Sequence, residues 1–173
     1  MTRSITILGS TGSIGVNTLD LIGRAEPGDF TVVGLSANRN VELLAQQAVA
    51  FKAQAVAIAD PACHAELCER LSSYKIDVLS GPAGLIELAQ RNADITMAAI
   101  VGAAGLEPTL AAVEQGNIIA LANKECLVCA GEAFMSAVFK HGTTLLPVDS
   151  EHNAIFQVLD KDRPEGVRRL ILT

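Results

Sequence analysis

The chain has 173 residues, half of them apolar, with 13 Lys and Arg against 19 Asp and Glu and a formal net charge of −6. That length suits one domain with a substantial core, with room for an appended piece. The acidic balance excludes a nucleic-acid surface as the expected role, and no basic run points to a membrane surface. The apolar run from Ile95 to Leu106 is twelve residues long, too short to span a bilayer. The first residues lead straight into a strand without a signal-peptide pattern. The four cysteines lack disulfide-rich spacing. Together these features lead to the expectation of a reducing, cytoplasmic setting.

Ser4-Ile5-Thr6-Ile7-Leu8 is short, apolar and β-branched, and predicts a buried parallel strand. Gly9-Ser10-Thr11-Gly12-Ser13-Ile14-Gly15 follows as a strand-to-helix turn. Ile14, Thr18, Leu21 and Ile22 then recur at helical spacing and predict a helix. Glycines let such a turn take positive φ and let a ligand approach the backbone. The helix would aim free N–H groups and its positive dipole end at that ligand, which suits a phosphate. The spacing Gly-x-x-Gly-x-x-Gly differs from the usual dinucleotide fingerprint, so a tight structural turn is the plain alternative. The strand before and the helix after favour the dinucleotide reading.

Strand-like and helix-like segments alternate from there to about residue 147. Phe30–Leu35 reads as a strand, followed by a helix with Val41, Leu44, Ala45 and Ala48 on one face. Gln54–Ile58 is the third strand. Asp60-Pro61 supplies an N-cap and a first-turn proline for a helix reaching about Ser72. Ile76–Leu79 is a short strand before Gly81-Pro82 and another helix. Ile95–Val101 reads as a buried strand, and Leu106, Leu110 and Val113 mark the next helix. Asn117–Leu121 is a strand, about Lys124 to His141 a longer helix, and Thr143–Leu146 a further strand. The pattern predicts an α/β, Rossmann-like, doubly wound and mostly parallel sheet with helices on both faces. We expect a dinucleotide domain over 1–147 and the start of a second, catalytic domain over 148–173. Val167–Thr173 reads as a strand cut short, which leads to the expectation that the chain is a piece of a longer protein.

An NAD-binding fold usually carries an acid about 20 residues beyond the glycines, to hold the ribose 2′-hydroxyl. No acid occurs between Asp29 and Glu42, whereas Arg39 offers a positive fork suited to a 2′-phosphate. This favours NADP, the alternative for Arg39 being a solvated loop charge. Asp149 and Glu151 flank Ser150 in the densest polar cluster of the chain. In an extended segment they would project to one side and suit a hard divalent cation. Read more simply, they are the cap and first turn of a helix. Asn123-Lys124-Glu125 follows a strand, where ligands bind in open α/β sheets. Cys126 and Cys129 read as structural thiols, since zinc would need further ligands.

Four stretches carry a resemblance to a known family: Gly9–Gly15, Ala99–Leu106, Leu121–Glu125 and Leu146–Gln157. In collinear order, and over essentially the whole chain, they resemble the 1-deoxy-D-xylulose 5-phosphate reductoisomerase family. The resemblance implies an NADPH- and divalent-metal-dependent homodimer using Mg²⁺, Mn²⁺ or Co²⁺. It would rearrange and then reduce its sugar-phosphate substrate to 2-C-methyl-D-erythritol 4-phosphate, on the non-mevalonate route to isoprenoids. By motif, Thr11, Gly12, Ser13 and Ile14 would contact NADPH. Arg39 and Asn40 would lie near the 2′-phosphate, although the family often has lysine at the place of Arg39. Asn123 and Glu125 would contact the cofactor, and Lys124 the substrate. Asp149 and Glu151 would ligate the metal, with Ser150 and Glu151 touching substrate, so Lys124, Asp149 and Glu151 form the catalytic set. A third carboxylate ligand, the phosphate site and a closing loop would lie beyond Thr173, and this piece alone would be inactive.

Two rival readings stand beside this. One is a semialdehyde-dehydrogenase-like enzyme with Cys126 or Cys129 as nucleophile; the other is an NADP-sensing module without chemistry. A short-chain dehydrogenase is disfavoured, because Tyr74, the only tyrosine, has Val78 four residues on in place of lysine.

Overall fold

The architecture follows from the handedness of βαβ units. A right-handed crossover puts its helix on one face when the chain moves one way across the sheet, and on the other face when it moves back. In the structure, a computed structural model describing residues 2–160 and 162–171, the chain does both. Strands β1 (Arg3–Leu8), β2 (Phe30–Ala37), β3 (Ala55–Ile58) and β4 (Asp77–Ser80) are laid down outward in one direction. The chain then returns to place β5 (Ile95–Ala98) beside β1, and continues through β6 (Ile118–Leu121) and β7 (Thr144–Pro147). The sheet order is β4-β3-β2-β1-β5-β6-β7, and all its pairings are parallel.

Helices α1 (Ser13–Arg24), α2 (Val41–Ala50) and α3 (His64–Leu71) cover one face, with Leu19, Leu44, Ala48, Leu67 and Leu71 in its core. Helices α4 (Gly81–Ala89), α5 (Leu106–Val113) and α6 (Glu125–His141) cover the other, around Leu88, Ala112, Val113 and Phe134. A shorter helix, α7 (Ser150–Val158), follows β7 and buries none of its residues. The doubly wound α/β class expected from the alternation is therefore the class observed.

Four local details depart from the simple sequence pattern. In α1 the buried positions are Gly15 and Leu19, while Leu21 is 69% exposed and Ile14 36%. A Cβ on Gly15 would collide with the backbone of Gly9 and Ser10. The helix therefore turns its glycine side inward, with Ile22 packed beside it against the core. Second, β5 ends at Ala98, short of Val101. Its neighbour β1 ends at Leu8, and after a last ladder bond from Ala99 N–H to the Leu8 carbonyl (2.9 Å) there is no strand to follow. Third, residues 167–171 form no strand, and Leu172 and Thr173 lie outside the described residues. The turn after Asp60 is also tighter than expected, a 3₁₀ turn over Pro61–Cys63 before α3.

Candidate functional site

β1 and β5 are neighbours whose following segments leave in opposite directions, and this opens a crevice at the carboxyl ends of the strands. Open α/β sheets bind ligands at such a switch point. The larger part of the crevice is a cleft of about 320 Å³ lined by Gly9, Thr11, Gly12, Ala37, Asn38, Ala59, Leu85, Ala99, Ile100, Val101 and Ala104. A smaller part, about 130 Å³, shares the wall Ala99–Val101 and adds Ile14, Ala122, Asn123, Lys124, Glu125 and Asp149.

The floor of the cleft is the glycine turn. Gly9 has φ +87°, and a Cβ there would stand 2.8 Å from the Ala99 carbonyl oxygen. Gly12 is the N-cap of α1 and has no side chain to satisfy the first N–H groups of the helix, whose first turn also lacks an acid. Unpaired N–H groups at a helix start attract anions. The turn is held from behind. Gly9 N–H donates to Ser36 Oγ (2.9 Å), Ser10 N–H to the Ser36 carbonyl (2.8 Å), and Ser10 Oγ to Gln47 Oε1 (2.7 Å). Gln47 Nε2 donates back to the Ser10 carbonyl (3.0 Å). Ser36 and Gln47 were not singled out from the sequence, and no local pattern marks them, because their partners lie more than 25 residues away. A diphosphate fits this floor by its bare backbone, its close approach and its lack of negative charge.

Of the expected site residues, the crevice wall brings together Thr11, Gly12, Ile14, Asn123, Lys124, Glu125 and Asp149. Ser13 opens α1 beside them. Asn123 is 3% exposed. Its Nδ2 donates to the carbonyls of Ile100 (2.5 Å) and Gly102 (3.0 Å), and its Oδ1 accepts from Cys126 N–H (3.2 Å). Its amide thus ties the β5 loop to the start of α6. Asn40 is the N-cap of α2, accepting from Leu43 N–H (3.1 Å). Arg39 pairs through Nε with Asp60 Oδ2 at 2.8 Å, so an acid does stand beside it, delivered by β3 from beyond the window searched in the sequence.

Asp149 and Glu151 are not two positions of one extended segment. Asp149 is the N-cap of α7 and Glu151 lies in its exposed first turn with Ser150. This is the simpler of the two sequence readings as far as backbone goes. Asp149 Oδ1 accepts from His152 N–H (3.1 Å) and lies 2.6 Å from His152 Nδ1. Partial burial pushes the Asp149 carboxyl up, but the bonds from His152 and the charges of His152 and Lys124 outweigh it and hold the group below its ordinary value. Among the described residues, no group of three or more His, Cys, Asp or Glu could hold a metal. The two carboxylates have the right chemistry for a hard cation but are an incomplete donor set.

All four cysteines are free. Burial pushes the Cys126 thiol up, with a hydrogen bond to Thr109 opposing, which is the wrong direction for a nucleophile. Cys129 lies outside both parts of the crevice. Among the described residues, no helix is long and apolar enough to cross a membrane.

Sheet order, switch-point crevice and glycine floor together define a Rossmann-like α/β protein of the dinucleotide-binding kind. A profile of 1-deoxy-D-xylulose 5-phosphate reductoisomerase matches residues 5–131, and one of that enzyme's C-terminal domain matches residues 145–173. The chain belongs to the 1-deoxy-D-xylulose 5-phosphate reductoisomerase family. It is 57% identical to the reductoisomerase of Rhodospirillum centenum over 171 residues, 99% of this chain and 42% of that protein. Its fold superimposes on the Zymomonas mobilis reductoisomerase in complex with NADPH with a TM-score of 0.94 at 50% identity, covering 98% of this chain and 44% of that one. A reductoisomerase complex with NADPH, fosmidomycin and magnesium gives 0.88 at 41% identity, covering 95% and 40%. The chain thus spans about two fifths of the length of these relatives.

Proposed function

We propose that this chain is the NADPH-binding part, with the beginning of the metal-binding part, of an enzyme that converts 1-deoxy-D-xylulose 5-phosphate to 2-C-methyl-D-erythritol 4-phosphate. The observation that carries the reading is the glycine floor at the β1–β5 switch point, with its uncapped helix start. The relatives bound to NADPH and magnesium support it. We take residues 1–147 as the dinucleotide domain and 148–173 as the start of the catalytic one.

In this reading Thr11, Gly12, Ser13 and Ile14 cradle the diphosphate with their backbone. Arg39 and Asn40 border the adenine-side ribose, and Asn123 and Glu125 border the nicotinamide side. Asn123 acts there through the loop it holds. NADPH, when bound, supplies the hydride for reduction of a carbonyl. Asp149 and Glu151 hold one side of a divalent cation such as Mg²⁺, Mn²⁺ or Co²⁺, which when bound polarises the substrate carbonyl. Lys124, Ser150 and Glu151 face the sugar phosphate. An ion of this kind takes about six oxygens, so the reading assigns its remaining ligands to the part of the relatives outside the matched stretch. The same reading makes the complete enzyme a cytoplasmic homodimer, without nucleic-acid or membrane partners, and the 173-residue chain inactive alone.

Calorimetric titration of the chain with NADPH and NADH tests the cofactor half: NADPH should bind more tightly, and equal affinities or a preference for NADH would refute it. For the chemistry, NADPH oxidation is followed with 1-deoxy-D-xylulose 5-phosphate and Mg²⁺ or Mn²⁺. Full-length Asp149→Asn, a neutral and nearly isosteric change, should depress turnover steeply and leave NADPH affinity nearly unchanged. Undiminished turnover, or activity of the 173-residue chain, would show the chemistry to lie elsewhere.

A further inference from the structure

Arg39 and Asp60 sit at the ends of neighbouring strands, β2 and β3, beside two residues of the cleft wall, Asn38 and Ala59. Arg39 is 71% exposed along its side chain and Asp60 24%. The less exposed partner is the fixed one. Asp60 Oδ1 accepts from Ala62 N–H (2.9 Å), and its own N–H donates to the Asn38 carbonyl (3.0 Å). Its second oxygen, Oδ2, takes Arg39 by Nε at 2.8 Å. The contact runs through Nε, with the two Nη nitrogens at the far end of the guanidinium. Those two nitrogens are the fork that grips a phosphate by two parallel bonds.

We propose that Asp60 is a specificity-determining positioning residue: anchored to the loops of β2 and β3, it holds Arg39 by Nε and leaves the Nη fork free for the 2′-phosphate of a dinucleotide. The inference rests on the dinucleotide reading above. A long exposed arginine otherwise loses much rotamer freedom on gripping a phosphate. Asp60 imposes that restriction before the ligand arrives, and preorganisation of this kind raises affinity. The carboxylate also repels the phosphate, so its advantage lies in geometry, not in charge. Asparagine removes the charge but has one acceptor oxygen where Asp60 uses two, one for Ala62 N–H and one for Arg39, so it should keep only part of the effect.

The test is calorimetric titration of the 173-residue chain and its variants with NADPH and with NADH. Asp60→Ala should lose about tenfold in NADPH affinity, the low end of the range for a charge-assisted hydrogen bond. It should leave NADH affinity unchanged, which a merely structural loss would not. Asp60→Asn has one acceptor oxygen for the two bonds and should fall between the parent and Asp60→Ala in NADPH affinity. Arg39→Ala should abolish the preference for NADPH. If Arg39→Ala abolishes it while Asp60→Ala leaves it intact, or if Asp60→Ala weakens both dinucleotides equally, this inference is overturned and the cofactor reading stands. Failure of the parent chain to bind NADPH at all would overturn both.

Discussion

Ser10 and Gln47, 37 residues apart, hold each other by two reciprocal hydrogen bonds: Ser10 Oγ to Gln47 Oε1 at 2.7 Å and Gln47 Nε2 to the Ser10 carbonyl at 3.0 Å. Both residues are buried. The pair fastens the glycine turn to α2, so the backbone that would meet a phosphate is set by a side chain on the next helix. Gln47→Leu keeps the bulk and deletes both bonds, leaving the hydroxyl and carbonyl of Ser10 buried with fewer partners. The expected cost is about 1–3 kcal/mol of stability, read from urea denaturation. Affinity for NADPH and NADH should fall together, because the turn meets the part that the two share. An unchanged denaturation midpoint would sink this account.

Thr6 is fully buried, and among the described residues its Oγ1 has no hydrogen-bond partner. It lies where the β1–β2 register shifts, with its methyl packed beside Gly34. Valine has the same shape without the unsatisfied hydroxyl. Thr6→Val should therefore stabilise the fold by about 1 kcal/mol, measured as a raised midpoint with an unchanged denaturant slope. A lowered midpoint would show that the hydroxyl has a partner after all.

Asp94 joins the starts of β1 and β5. Its Oδ2 accepts from Ser4 N–H (2.7 Å) and Ser4 Oγ (2.8 Å), and its own N–H donates to Ser4 Oγ (2.9 Å). The backbone bond from Ser4, then its side-chain bond, hold the carboxyl below its ordinary value of 3.8. A depressed folded-state pKa contributes stability that is present above the unfolded value and lost as pH falls through the folded one. The wild type should thus lose stability from this group as pH drops below about 3.8. Asp94→Asn should be less stable at pH 7 and show a shallower acid loss. Parallel pH profiles of denaturation midpoint for the two proteins would count against it.

The cysteines give a test against thiol chemistry. Cys126 is fully buried with its thiol pushed up by that burial, and a thiol kept protonated is a poor nucleophile. Cys126→Ser and Cys129→Ser in the full-length enzyme should keep near-normal turnover, though Cys126→Ser should lose some stability by burying a hydroxyl. Loss of several orders of magnitude in either would revive the semialdehyde-dehydrogenase mechanism.

What was legible in the sequence was local and periodic. The apolar face Val41, Leu44, Ala45 and Ala48 is the buried face of α2, because all four packing groups are side chains at helical spacing. The βα alternation predicted a doubly wound parallel sheet, since parallel strands need crossovers and crossovers have one hand. The turn Gly9–Gly15 was found for the same reason: strand, glycines and helix are contiguous. In α1 the closest contact is made by a glycine that no apolar pattern marks; of the apolar positions, Ile22 packs against the core while Ile14 and Leu21 are exposed.

Only the tertiary structure decided which groups meet across the strand ends. It brought Asp60 to Arg39, Gln47 to Ser10, and Asn123 to the carbonyls of Ile100 and Gly102. For Asp149 it decided between two readings the sequence already offered, in favour of the helix cap. Residue type announces that such groups can bond; it does not say with what. The partner is chosen by the order in which strands enter the sheet, and that order is a balance of burial over the whole chain that no window of a few residues contains.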